Sequence, residues 1–426
     1  MTVLNVFWDH ALVGHLESSG RQDLVFTYDP AFLARPDARA ISVALPLQSE
    51  SLDADISTSW FANLLPEGDV RSHVARRLGI SERNDFGLLQ GIGGDCAGAL
   101  SLLTTSDSPP LSQAPTLQPL PWSELEDTVN RTPRASLLAL MLSGTELRLS
   151  LAGAQDKLPV YLDGDELSLP TDGTPSSHLL KVASPSFPGL VHNELFCLEL
   201  ACRIGLPVPA ARLTPTPTPM LLIERYDRAR DHDGRVSRWH QEDLCQALGV
   251  DPDRKYESEG GPGIADVFAL VTRVSRQPLV DRRSLLTWVL LNVLIGNADA
   301  HGKNLSLLHG ARLDDRAPVL APFYDLVCTA VYPELSSKQA MKIGGEARLE
   351  RIEARHWIRF AEAVGIRPGF VQQMGLGVCH AVEEAVPEIR GRIDGSDVLE
   401  NVVEIIGRQV RRVRDGLGRI GEAAAE

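Results

Sequence analysis

Residues 284–308, SLLTWVLLNVLIGNADAHGKNLSLL, join an apolar run that reads as a buried helix to a segment crowding Asn297, Asp299, His301, Lys303 and Asn304 into eight positions. A helix apolar on every side has to lie inside a core. The polar cluster therefore emerges at the end of a rigid, buried support, on an irregular loop of the kind that carries chemistry in globular proteins.

Asp299 and Asn304 are five positions apart. Phosphoryl transfer from ATP asks little covalent chemistry of a protein; it asks for a carboxylate that orients the attacking hydroxyl and for oxygen ligands that hold Mg2+ against the phosphates. An Asp five residues before an Asn supplies both, and protein kinases use the same spacing. "APFYDLVCT" adds Asp325, 21 residues past Asn304, where a second metal-binding carboxylate should come. Upstream, Lys181 lies in a strand ahead of a helix that begins near Glu194, as expected of a phosphate-neutralising lysine oriented by a helix glutamate. Each residue also admits a plain structural reading: Asp325 as a helix N-cap, Lys181 as an edge-strand lysine, Glu194 as a first-turn acid. The loop "SLAGAQDK" has Gly153 as its sole glycine, yet Ala152, Gly153 and Ala154 are small enough for backbone amides to approach an anion, and Lys157 adds charge. Ser150, beside that loop, reads on residues alone as an ordinary strand hydroxyl. His301 reads as a base, a structural loop residue or a contact to nucleotide.

The 426 residues predict two or three cores, and 43% hydrophobic with 23% charged residues is a globular composition. A formal net charge of -14 makes the chain alone a poor sequence-independent nucleic-acid binder and suits a basic partner. The N-terminus has no basic region followed by an apolar core, and no apolar stretch of about 18 residues occurs, so a soluble, cytoplasmic protein without membrane contact is expected. The six cysteines have no repeated short spacing, which suggests neither a disulfide framework nor a zinc site.

Along the chain, "LNVFWDHALVGHLE" and "RQDLVFTYD" alternate as short strands, with turns expected at Gly14 and Gly20. "TSWFANLLPEGDVRSHVARRLG" has helical spacing around a break at Pro66. The proline-rich text 106–121 reads as a linker. Leu147, Leu149 and Leu151, then Leu158, Val160 and Leu162, predict two strands. "SSHLLKVAS" predicts another, followed by a helix closing at Gly205 and by a hairpin through "PVPAARL" and "MLLIERYDR". From about His240 the text is mostly helical. Its last long segment places Val402, Ile406, Val410, Val413, Leu417 and Ile420 on one stripe with arginines opposite.

With these residues assembled, the sequence resembles the HipA family of bacterial toxin kinases. "LLPEG" and "GGDCAGAL" look like the family's N-terminal domain; "SLAGAQDKLPV", "SHLLKVAS", "ERYDR", "HQEDLCQALG", "KYESEGGPGI", "GNADAHGKNLSLL" and "PFYDLVCTA" look like successive blocks of its kinase core. The resemblance implies an α+β, protein-kinase-like, two-lobed fold, with a mixed-sheet N-lobe, an all-helical C-lobe and an extra small α/β N-terminal domain. Its divisions would be 1–105 for the N-terminal domain, 106–121 for the linker, 122–235 for the N-lobe and 236–426 for the C-lobe. It implies an ATP-dependent, non-specific serine/threonine protein kinase. Asp299 would be the catalytic base, and Asn304 and Asp325 the Mg2+ ligands. ATP would be held by Ala152, Gly153, Ala154, Gln155, Asp156 and Lys157, by Lys181, by Glu224, Arg225 and Tyr226 linking the lobes, by His301, Gly302, Lys303 and Asn304, and by Tyr324 with Asp325. It further implies inhibitory autophosphorylation at Ser150, a HipB-like helix-turn-helix antitoxin, operator DNA reached through the antitoxin complex, and a protein substrate such as an aminoacyl-tRNA synthetase. His301 stands where ordinary protein kinases have lysine, and "YDL" replaces Asp-Phe-Gly; both occur in the HipA pattern. Two alternatives remain at this level, a small-molecule phosphotransferase and a non-catalytic corepressor.

Overall fold

The computed structural model describes residues 2–18, 23–107, 109, 115–131, 157–171, 173–183, 186–230, 236–310, 317–393 and 396–423. The chain divides into two compact units. The first comprises Met1–Val182, Thr214–Asp253 and Leu307–Pro318; the second comprises Ala183–Leu213, Arg254–Ser306 and Val319–Glu426. These units cut across the sequence divisions, because residues near 240 and 309 pack with the N-terminal segment.

In the first unit, β1 (Val3–Trp8), β2 (Ala11–Ser18), β3 (Leu24–Tyr28) and β4 (Leu100–Thr104) form a sheet in the order β3-β2-β1-β4. Every neighbouring pair is antiparallel, so the layer is α+β in the strict sense and its helices lie outside the strand order. The β1–β2 turn falls at Asp9, at φ 52°, and not at Gly14. Gly14 sits inside β2 because its backbone passes close to β3: a Cβ there would lie 2.4 Å from Thr27 O and 2.7 Å from the Phe26 ring. Gly20 lies outside the described residues. Helix Ala54–Ala62 is capped by the Asp53 carboxylate, which accepts from Asp55 N and Ile56 N. The expected break at Pro66 separates it from helix Gly68–Leu78. Trp60, Phe61, Phe26 and Tyr28 fill the core between sheet and helices.

Glu242, fully buried, ties the later segment to this core. It accepts from Val43 N at 3.0 Å, Trp60 Nε1 at 3.3 Å and the Ser42 hydroxyl, and lies 3.1 Å from His309 Nε2. A buried carboxylate with that many donors is compensated for its lost hydration.

The unit's second sheet has the strand order Leu117–Pro119, Glu166–Pro170, Lys157–Asp163, His178–Lys181 and Leu221–Glu224. Part of the proline-rich segment is thus a strand, with Pro119 on an edge where its missing N–H costs least. Helix Trp122–Arg131 covers the sheet with Leu125 and Val129. The strand expected around Leu147–Leu151 lies outside the described residues.

The second unit is built on helix Pro278–Ile295, with Leu285, Leu286, Trp288 to Leu291 and Val293 to Ile295 all buried. Helices Leu190–Arg203, Pro368–Arg392 and Val398–Gly418 belong to the same unit, and the expected stripe from Val402 to Ile420 is buried. Among the described residues the text expected to be all helical also carries strands, the hairpin Lys338–Ile343 with Glu346–Arg348 and the short strands Gln241–Asp243, Ser306–Leu308 and Val319–Leu320. Among the described residues no helix is long and apolar enough to cross a membrane.

Gly14→Ala should destabilise the N-terminal sheet by about 1–3 kcal/mol, the usual cost of overpacking. Thermal unfolding followed by tryptophan fluorescence checks this, and an unchanged midpoint would contradict the close approach.

Candidate active site

Helix Pro278–Ile295 stops at Gly296, which takes the left-handed conformation at φ 69°. The polar residues beyond it first satisfy one another. Asn297 Nδ2 donates to Asn292 Oδ1 at 2.8 Å, and Asp299 N donates to Asn297 Oδ1 at 3.1 Å. Thr329 Oγ1 accepts from Ala298 N at 2.7 Å and donates to Gly296 O at 3.1 Å, while Ala340 N donates to Ala298 O at 2.8 Å. The loop is thereby fixed on both sides. Asn297 is a framework residue, and Asp299 is delivered outward with its side chain 53% exposed.

The Asp299 carboxylate accepts a 2.7 Å hydrogen bond from the Tyr256 hydroxyl, and His301 Nε2 lies 3.9 Å away. The rings of Tyr256 and His301 meet edge to face at 5.4 Å. Residues Gly302–Asn304 form a single helical turn, in which Asn304 Oδ1 accepts from His301 N at 3.1 Å and Asn304 N donates to His301 O at 3.0 Å. This directs Asn304 Nδ2 to within 3.5 Å of Asp325 Oδ2. The Tyr324 hydroxyl reaches Lys303 O at 2.7 Å and lies 2.7 Å from Ser306 Oγ.

Asp325 does not cap a helix. Its φ is 52°, a conformation that costs a non-glycine residue free energy and is retained where surroundings enforce it. Leu326 beside it is fully buried, and Asn193 clamps the next turn, accepting from Cys328 N at 2.9 Å and donating to Cys328 O at 3.0 Å. Asn304 faces Asp325 with its amide nitrogen while its Oδ1 accepts from His301 N; the Asp325 carboxylate and an Asn304 carboxamide turned to present its oxygen are hard donors of the kind Mg2+ takes. No cluster of three or more His, Cys, Asp or Glu that would cage a metal occurs among the described residues.

The first unit holds the other candidates. Lys157 and Lys181 are directly opposed on neighbouring antiparallel strands. Lys181 also pairs with Leu221 on its other side, so it is in a central strand and not at an edge. Ser150, Ala152, Gly153, Ala154, Gln155 and Asp156 lie outside the described residues. Glu194 is fully buried in helix Leu190–Arg203, which starts four residues earlier than the sequence suggests.

Of the segment expected to hold nucleotide, Glu224 is exposed but the Arg225 side chain is not. Its guanidinium is spent internally, on Asp227 Oδ1 at 2.9 Å, Asp227 Oδ2 at 2.7 Å and Ser176 Oγ at 2.9 Å. Arg228 donates to Asp227 Oδ2 at 2.9 Å and Asp95 Oδ1 at 3.2 Å, and Arg238 is 3.1 Å from Asp95. Burial alone would raise the Asp227 carboxyl, but the guanidiniums of Arg225 and Arg228 hold it well below the ordinary carboxylate range. Burial, with Arg225 adding to it, brings Arg228 down to about 10. The Tyr226 hydroxyl donates to Gln241 Oε1. The side chain of Arg225 is thus buried among partners within the protein, and that of Tyr226 is half-buried. Tyr256 is the converse case. It stands in a motif without an assigned role, and 43 residues separate it from Asp299, so no spacing rule links the two.

These two units, one presenting opposed lysines on an antiparallel sheet and one a helix-supported Asp-x-x-x-x-Asn loop facing a second aspartate, make a protein-kinase-like fold. The HipA-like C-terminal domain model matches residues 149–386, and the HipA N-terminal domain model matches residues 4–103. The chain is 43% identical over 392 residues to Y4mE of Sinorhizobium fredii, covering 91% of each protein. It is 29% identical over 362 residues to the serine/threonine-protein kinase toxin HipA of Shewanella oneidensis, covering 82% of this chain and 80% of that one. HipA solved from the same bacterium, in complex with HipB and operator DNA, superposes with a TM-score of 0.81 at 25% identity, covering 98% and 97% of the two chains. The chain belongs to the HipA family.

Asp227→Asn would leave two buried guanidiniums short of a countercharge and should cost about 3–5 kcal/mol of stability. Chemical denaturation of the variant measures it, and a loss below 1 kcal/mol would mean that the cluster is not the internal brace described above.

Proposed function

We propose that the chain is a serine/threonine protein kinase toxin that moves the γ-phosphoryl group of ATP to a hydroxyl of a protein substrate. The reading is carried by the Asn304–Asp325 convergence at 3.5 Å, with Asp299 displayed from the same loop. Asp299 orients the incoming hydroxyl and receives its proton. Asn304 and Asp325 hold Mg2+, which when bound neutralises charge on the phosphates. Lys157 and Lys181, opposed on neighbouring strands, take phosphate oxygens. Residues Ala152 to Asp156 contribute backbone amides, Glu224 with the backbone of Arg225 and Tyr226 faces the nucleotide base, and His301 to Asn304 and Tyr324 border the phosphates.

In this reading Ser150 is autophosphorylated. Its added negative charge then opposes binding of the phosphates of ATP, and activity falls. A HipB-like antitoxin is the partner, supplying the operator-DNA contacts that a chain of net charge -14 makes poorly. The substrate is an aminoacyl-tRNA synthetase, whose modification stops translation.

Labelled phosphate transfer from ATP tests the assignment. Asp299→Ala should lower turnover roughly 100-fold or more while ATP still binds. Asp325→Ala should abolish Mg2+-dependent ATP binding measured by calorimetry. Equal loss of both properties in both variants would overturn the division of roles. Mass spectrometry of the wild-type protein after incubation with ATP should find phosphate on Ser150; a bare Ser150 would remove the autoinhibition.

A further inference from the structure

The carboxylate of Asp299 is more than half exposed, and an exposed aspartate samples several side-chain orientations unless something fixes it. Among the described residues the one hydrogen bond to that carboxylate comes from the Tyr256 hydroxyl, at 2.7 Å. Tyr256 is itself held firmly. Its carbonyl accepts from both Glu259 N and Gly261 N at 2.9 Å, closing a turn through Gly260 at φ 90°. At Gly261 a Cβ would lie 2.1 Å from Arg254 O, so the tight return of the chain requires glycine, which explains the paired glycines of "KYESEGGPGI". Glu257 then pins the turn to the hairpin, accepting from Lys342 N at 2.6 Å with Lys342 Nζ 3.4 Å away. The ring rests edge-on against His301, and Lys255 Nζ sits 5.5 Å from its centroid.

We infer that Tyr256 is a positioning residue for phosphoryl transfer: its hydroxyl fixes the Asp299 carboxylate so that the remaining acceptor positions face the incoming substrate hydroxyl. The inference rests on the assignment of Asp299 as the catalytic carboxylate. Each carboxylate oxygen can accept more than one hydrogen bond, so the phenol and the substrate hydroxyl can be bound at once. The proton of the substrate hydroxyl passes to Asp299 and the phenol keeps its own. Tyr256 thus acts through orientation, doing for Asp299 what preorganised supporting contacts do for catalytic groups generally.

The test is a double-mutant cycle on the full chain, reading initial rates of labelled phosphate transfer from ATP into phosphatase-treated bacterial lysate. Tyr256→Phe keeps the ring and its contact with His301. It should lower the maximal rate roughly tenfold, with the KM for ATP and the thermal midpoint unchanged. In an Asp299→Asn background the same substitution should cost nothing more. A wild-type rate in Tyr256→Phe, a loss that appears in KM for ATP, or an equal loss in both backgrounds would overturn the role. Should Asp299→Asn alone label as fast as wild type, the assignment of Asp299 fails first, and that outcome is distinct from the others.

Discussion

The buried hydrogen-bonded run from Asn292 through Asn297 to the backbone of Asp299 decides how the chain leaves its central helix. A helix surrounded by apolar side chains has no water at its end to satisfy the freed backbone groups. Asn297 and Thr329 replace that water, and in doing so they set the direction of the loop to the accuracy of a hydrogen bond. Asp299, Asn304 and, through Asn193, the Asp325 turn are all referred to that same rigid frame. Had the loop been left to solvent, the 3.5 Å approach of Asn304 to Asp325 would depend on two mobile segments meeting by chance.

The first unit holds two clusters of cations. In one, Lys157 and Lys181 are directly opposed across an antiparallel strand pair. In the other, the buried guanidiniums of Arg225 and Arg228 and that of Arg238 gather around two carboxylates, Asp95 and Asp227. A cluster of this kind braces the backbone around residues 225–228, since removing one carboxylate strands the guanidiniums on it.

Much of the fold was legible. The apolar run before Gly296, the stripe from Val402 to Ile420, the Pro66 break and the alternation at Leu158, Val160 and Leu162 each follow from side-chain periodicity, and each element forms where that periodicity puts it. Gly14 misled because a glycine needed for a turn and one needed for a close crossing look alike in sequence; the 2.4 Å to Thr27 O is a fact of strand pairing. The segment 106–121 misled because prolines at a sheet edge and prolines in a linker have the same composition. Within the candidate site, the grouping of Asp299 with Asn304 was legible because both lie on one short loop after the apolar helix. The surroundings of Arg225 were only partly legible: Asp227 is two residues on, but Ser176 and Cys96 come from distant stretches.

By itself the sequence determined the periodic elements, the polar loop at the end of the apolar helix and the family, since each of these is written in local order along the chain. Tertiary structure alone decided which side chains meet: that Tyr256 reaches Asp299 from 43 residues away, that Asp325 is twisted to φ 52° beside Asn304, and that Glu242 draws the text near residue 240 into the N-terminal core. The physical reason is the same in each case. A hydrogen bond or a close packing contact depends on distance in space, and chain separation leaves no trace of it until the core has brought the elements together.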